Sequence, residues 1–159
     1  MPLECALYYT DALGIKGSNI KGGREDSSAV IELNHEVRSP RDVQTGQATG
    51  ARIHSPVRIL KEVDAASPLL YKALTRNEIL PELEIKWYRV VDGVETEYYH
   101  HKLKNVRVVS VEDVLLNSKG TEFEHMPHVE RVALGYEEIT WTWDDGGLEH
   151  SDNWRAAAS

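Results

Sequence analysis

One cysteine, one phenylalanine and two methionines are all that 159 residues hold of those types, and each scarcity closes off a class of protein. The lone thiol, Cys5, has no internal partner for a disulfide. Its place among alternating residues near the N-terminus marks it as a small packed side chain, consistent with folding in a reducing compartment. No apolar run approaches the ~20 residues of a membrane-spanning helix, and no basic segment followed by an apolar one opens the chain. Membrane insertion is therefore not expected, and export would have to proceed without a cleaved signal peptide. Basic clusters are missing as well. With 18 Lys and Arg against 26 Asp and Glu, a formal charge of −8, the chain offers little to a phosphate backbone, so no nucleic-acid partner is expected.

What is present is alternation. The length suits one ordinary domain with a real core, and most apolar residues recur with the period of a half-buried strand. Candidate strands run over 3–9, over 30–37 with Ile31, Leu33, His35 and Val37 on one face, and over 57–63. A short helix follows. Ser67 is placed as its N-cap, Pro68 at the position where a missing N–H costs nothing, and Leu70, Ala73 and Leu74 as its apolar stripe, with an end near Asn77. Leu83, Ile85 and Trp87 then alternate into Asp92-Gly93, a strong two-residue hairpin signal, with a return strand over 94–103 and a separate strand over 106–114. Between Val132, Leu134, Tyr136 and Ile139, Trp141, Trp143 the alternation changes phase, which predicts a bulge or corner near Glu137 and Glu138 where the chain passes from one sheet to another. The expected fold is mainly β: a small barrel of two packed sheets with one short α-helix and a long extended loop over 38–53. Residues 1–144 form that domain, and 145–159 read as a short polar tail, not a second domain.

Chemical motifs are weak throughout. His125-Met126-Pro127-His128 would suit a metal only on a helix that Pro127 opposes, His150 is too loosely connected to complete a site, and His100-His101 point to opposite faces of a strand. Ser110, His101 and Asp113 supply the residue types of a triad, but no Gly-x-Ser-x-Gly elbow accompanies them. Glu137 and Glu138 read as a bulge or solvated rim, and the glycines from Gly14 to Gly23 lack the ending of a phosphate loop. No catalytic, cofactor-binding or metal residue is assigned, and an enzyme is not expected. Trp87, Trp141 and Trp143 leave open a monomeric β-sandwich that binds sugar or peptide through exposed aromatics, although the alternation around Trp87 and Trp141 favours core packing.

Several separated blocks, in order, resemble one family. They are Gln44 to Leu74, a polar loop running into a strand and a capped helix; Leu80-Pro81-Glu82-Leu83-Glu84-Ile85-Lys86-Trp87-Tyr88-Arg89; Val129 to Trp143, ending Tyr136-Glu137-Glu138-Ile139-Thr140-Trp141-Thr142-Trp143; and Asp152-Asn153-Trp154-Arg155. Together they are similar to the haemolysin-coregulated proteins, the Hcp family, which build the inner tube of bacterial type VI secretion systems. The turn Gly14-Ile15-Lys16-Gly17-Ser18 is only loosely like the family's, and Ile20 to Asp26 reads as a local insertion. The resemblance implies a structural subunit without cofactor that forms hexameric rings stacked into tubes. Its implied partners are other copies of itself, sheath and spike proteins, and effector cargo in the lumen. Assembly would take place in the bacterial cytoplasm, with secretion through the apparatus, and the short tail after Trp143 leaves no room for a fused toxin domain. Arg41, Asp42, Gln44, Gln47 and Arg52 are the expected ring-stacking residues of the polar loop. Trp154 is expected to dock the tail on a neighbouring surface, with packing on its own barrel as the alternative.

Overall fold

A computed structural model describes residues 3–155. Its strands are β1 (Glu4–Asp11), β2 (Ser28–Asn34), β3 (Val37–Arg38), β4 (Ile53–His54), β5 (Val57–Glu62), β6 (Leu80–Val91), β7 (Val94–Val114), β8 (Val129–Gly135), β9 (Glu138–Trp143) and β10 (Leu148–Asn153), with helix α1 (Ser67–Thr75) between β5 and β6. All pairings are antiparallel. Six strands close a barrel in the order β7-β6-β1-β2-β5-β8, shut by the β7–β8 pairing, and β9 and β10 extend the sheet beyond β7. Closure removes edges from those six strands. Leu7, Leu70, Leu80, Leu83, Ile85, Leu103, Leu134 and Ile139 are fully buried at its centre, each worth about 1.5–3 kcal/mol relative to exposure.

Local chemistry explains the turns. Asp92 and Gly93 both take positive φ, 51° and 77°, the pairing of a type I′ turn whose twist matches the strands it joins. At Gly17 a Cβ would stand 2.3 Å from the Ser27 carbonyl oxygen, so only glycine admits that close approach.

Four expectations need correction. A bulge between Val30 and Glu32 on β2 turns Val30 and Leu33 toward the core and leaves Ile31 40% exposed, so Ile31 leaves the face predicted for it. The strands expected at 94–103 and 106–114 are one 21-residue β7, because Asn105 takes a positive φ of 53° that absorbs the irregularity while pairing continues on both sides. Ser67 does not cap α1. Ala66 holds the cap position without a side-chain bond, while the Asp64 carboxylate accepts the Ala66 N–H at 3.0 Å. The Ser67 hydroxyl instead donates to Glu130 at 2.7 Å. It also accepts the Asp64 N–H at 3.0 Å, a local contact, but Glu130 lies on β8, beyond the reach of a local pattern. Finally, the stretch read as a polar tail contains β10, whose six residues pair with β9 from Leu148↔Trp143 to Asn153↔Glu138. Its burial is too slight to leave an apolar signature.

The predicted phase break is present, but the chain does not pass to a second sheet there: β8 and β9 belong to the same sheet and both pair with β7. β8 pairs with the second half of β7, Arg107 to Val114, and β9 with its first half, Tyr99 to Lys104. Tyr136 and Glu137 make the corner, with the Glu137 N–H donating to the Lys104 carbonyl at 3.0 Å.

Candidate functional site

The polar stretch between β2 and β5 is a stitched arm, more ordered than the extended loop its composition predicts. Its base is the two-residue ladder of β3 and β4, Val37↔His54 and Arg38↔Ile53, flanked by Ser55 N–H to Glu36 O at 3.0 Å. An isolated bridge joins Arg41 to Ala48, and Thr49 N–H reaches Pro40 O at 2.9 Å. Asp42 builds the tip. Its carboxylate accepts the N–H groups of Gln44 and Thr45 at 2.8 and 2.9 Å, which hold its carboxyl below the ordinary range. Arg41 donates to the Gly46 carbonyl at 3.1 Å. Gln44, Gln47 and the fully exposed Val43 stand on the surface of this tip.

A chain of polar contacts fastens the base to the barrel. The Arg52 fork grips Asp152 through Nε at 2.6 Å and Nη2 at 2.9 Å, and Nη2 also donates to the Asn153 carbonyl at 2.8 Å. His54 Nε2 lies 2.7 Å from the same carboxylate, its Nδ1 lies 2.6 Å from the Tyr136 hydroxyl, and that hydroxyl is 2.8 Å from His35 Nε2. One assignment satisfies every member with both rings neutral: His54 Nε2–H donates to Asp152, Tyr136 Oη–H donates to His54 Nδ1, and His35 Nε2–H donates to Tyr136 Oη. The Arg52 guanidinium foremost, with His54, holds the Asp152 carboxyl below its usual value. Burial lowers His35, with the neighbouring His54 contributing. Burial also pushes the Tyr136 phenol up, the wrong direction for an activated nucleophile. The arrangement is a brace tying arm, corner and last strand together.

Known proteins agree with this architecture. Residues 9–143 match the family model described as "Type VI secretion system effector, Hcp". The chain belongs to the Hcp family. It is 43% identical over 141 residues to the "Major exported protein" of Pseudomonas aeruginosa, covering 88% of this chain and 82% of that protein. Among solved structures, the Hcp1 protein of the E. coli EAEC 042 pathovar superposes with a TM-score of 0.82 at 43% identity, over 97% of this chain and 99% of that one. The secreted protein Hcp3 of Pseudomonas aeruginosa gives 0.71 at 33% identity, over 98% and 99%. Hcp is a structural secretion family, not an enzyme family, and this chain is accordingly a type VI secretion tube protein.

The residues singled out in the sequence are scattered by this Hcp barrel in informative ways. Arg41, Asp42, Gln44 and Gln47 share the arm tip, whereas Arg52 sits at its base in the grip on Asp152. Trp154 lies on its own barrel: its indole N–H donates to the Tyr136 carbonyl and its backbone N–H to Glu137 O. Ser110 and His101 lie nine positions apart along β7, roughly 30 Å at ~3.3 Å per residue, so that triad is not assembled. His128 lies 3.9 Å from Asp113, and His150 stacks flat on Trp141 at 6.1 Å. His54, His35, Tyr136 and Asp152 were missed as a group. Arg52 and His54 stand two positions apart at β4, Arg52 just before the strand, a signal available in the sequence, but Asp152 was hidden in the acidic ending.

Proposed function

We propose that this chain is the repeating subunit of a hollow tube: six copies close a ring, rings stack with the help of the 36–55 arm, and the lumen carries and shields effector proteins. The observation that carries the proposal is the arm itself, a stitched hairpin with a polar, fully exposed tip and a base locked to the barrel. A projection of this kind costs ordering entropy, and contact with another copy would offset it. A stacked ring needs two different adhesive surfaces, one closing sideways and one along the axis. The arm tip supplies an axial candidate, and β10, which among the described residues pairs with β9 alone, supplies an open strand edge for a lateral one. If each axial contact contributes about 1.5 kcal/mol, six acting together approach about 9 kcal/mol before ordering costs. Such stacking is firm yet reversible.

Under this reading Arg41, Asp42, Gln44 and Gln47 shape the stacking tip and Arg52 holds it in place. Sheath and spike proteins are the remaining partners, assembly is cytoplasmic, and export follows through the apparatus. Light scattering with negative-stain imaging of the purified protein tests it. Rings in the wild type and loss of stacks, but not rings, in Arg41→Glu with Val43→Asp are the expected results. A folded protein that stays monomeric at high concentration, and a tryptophan signal that responds to added sugar or peptide, would replace the tube with the binding-module reading.

A further inference from the structure

On the β6–β7 hairpin a second cluster lies apart from the arm. The ladder skips a residue there: Trp87 pairs with Tyr99 and Tyr88 with Glu97, leaving Tyr98 as the extra residue of a β-bulge. In a regular strand residues three apart face opposite ways. The bulge cancels that alternation and brings Glu97 and His100 to one face, where Glu97 Oε1 is 3.0 Å from His100 Nδ1. The same bulge positions the third member, since the Tyr98 carbonyl accepts the Asp144 N–H at 3.1 Å just beyond β9, and Asp144 Oδ1 comes to 2.9 Å from His100 Nδ1.

We propose that Glu97, His100 and Asp144 bind a first-row divalent transition-metal ion, of which zinc is the type, bridging the β7 bulge to the β9–β10 turn. The three donor atoms lie within 4.8 Å of one another. Separations of 2.9 and 3.0 Å between donors are the edges subtended at about 90° by bonds of about 2.1 Å, and opening to the tetrahedral angle zinc prefers widens them to about 3.4 Å. Asp144 Oδ2 is closed off from solvent and has no hydrogen-bond partner among the described residues, and His100 Nδ1, also closed off, faces the two carboxylate oxygens already given. Buried polar atoms left in this state call for an ion or another partner. Charge points the same way. Two carboxylates meet on one imidazole here. Lys86 is 4.0 Å from Glu97 and divides its charge with Glu84 at 3.6 Å, while Arg89 is engaged over the rings of Tyr98 and Trp143. One imidazole with two carboxylates suits zinc, cobalt or nickel better than magnesium or calcium, which favour all-oxygen sets.

Calorimetric titration of chelator-treated, tag-free protein with Zn²⁺, Co²⁺ and Ni²⁺, with Mg²⁺ and Ca²⁺ as controls, tests the site. The expected result is one ion per chain with micromolar affinity, a visible Co²⁺ spectrum, and a weakening of roughly tenfold or more in each of His100→Ala, Glu97→Gln and Asp144→Asn. The two amide variants keep shape and circular dichroism, so they remain informative if His100→Ala folds poorly. No saturable binding, affinity unchanged in the folded variants, or equal affinity for Mg²⁺ would overturn the proposal.

Discussion

Lys61 and Glu130 offer the sharpest test of the packing argument. Both side chains are wholly buried and meet at 2.6 Å, linking β5 to β8. Their partners are unequal. Lys61 Nζ also reaches Asp64 at 3.0 Å and the Glu62 carbonyl at 2.9 Å, whereas Glu130 accepts from the Ser67 hydroxyl at 2.7 Å and its Oε2 is unpartnered among the described residues. Lys61→Met therefore strands a buried carboxylate and should cost about 3–5 kcal/mol, while Glu130→Leu leaves the ammonium with Asp64 and should cost less. The double variant replaces the pair by apolar groups of similar volume and should return to within about 1 kcal/mol of wild type. For a chain of this size each kcal/mol moves the melting temperature by about 2–4 °C, so Lys61→Met should melt about 6–20 °C lower. Urea unfolding followed by tryptophan fluorescence, at fixed protein concentration and oligomeric state, reads all three. A single variant losing under about 1 kcal/mol, or a double variant losing the sum of the singles, would refute the reasoning.

Four further outcomes follow from the same geometry. His101 is 6% exposed, and burial foremost depresses its pKa from 6.5 to about 4; the unfolded chain takes up the proton first, so stability is full above pH 6.5 and falls by up to about 3 kcal/mol toward pH 4. His101→Gln should flatten that slope in urea titrations across this range, and an unchanged slope would remove His101 as its source. Arg52→Glu sets a carboxylate against Asp152 and should speed hydrogen exchange over residues 37–54, with Arg52→Asp plus Asp152→Arg restoring protection if Arg52 fastens the arm. Because the Asp152 carboxyl is held below its usual 3.8, the stability gap between wild type and Asp152→Asn should persist above that pH and close as pH falls through the lower folded value. Trp154→Phe removes the indole N–H from the Tyr136 carbonyl and should cost about 1 kcal/mol, with Trp154→Ala costing more, both read by chemical unfolding.

Legibility in the sequence followed the range of the interaction that set each feature. Strand alternation through Leu83, Ile85 and Trp87, the Asp92-Gly93 turn and the phase change near Glu137 are dictated by residues a few positions apart, and all three stand in the structure. The β2 face failed because one bulged residue inverts every side chain beyond it. Ser67 has the composition of a cap, yet its hydroxyl is claimed by Glu130, 63 positions away.

By itself the sequence determined the class of this protein: its period-two pattern, turn residues and scarcity of cysteine and basic clusters specify a single acidic β domain, and its ordered blocks specify the Hcp family. Only the tertiary structure decided which polar groups act together. Arg52 and His54 meet Asp152 across about 100 positions, and His100 meets both Glu97 and Asp144 through a bulge whose register no local pattern encodes. The physical reason is that backbone preference and burial are set by near neighbours, whereas a hydrogen bond or ion pair is set by distance in space, which exists only once the barrel has closed.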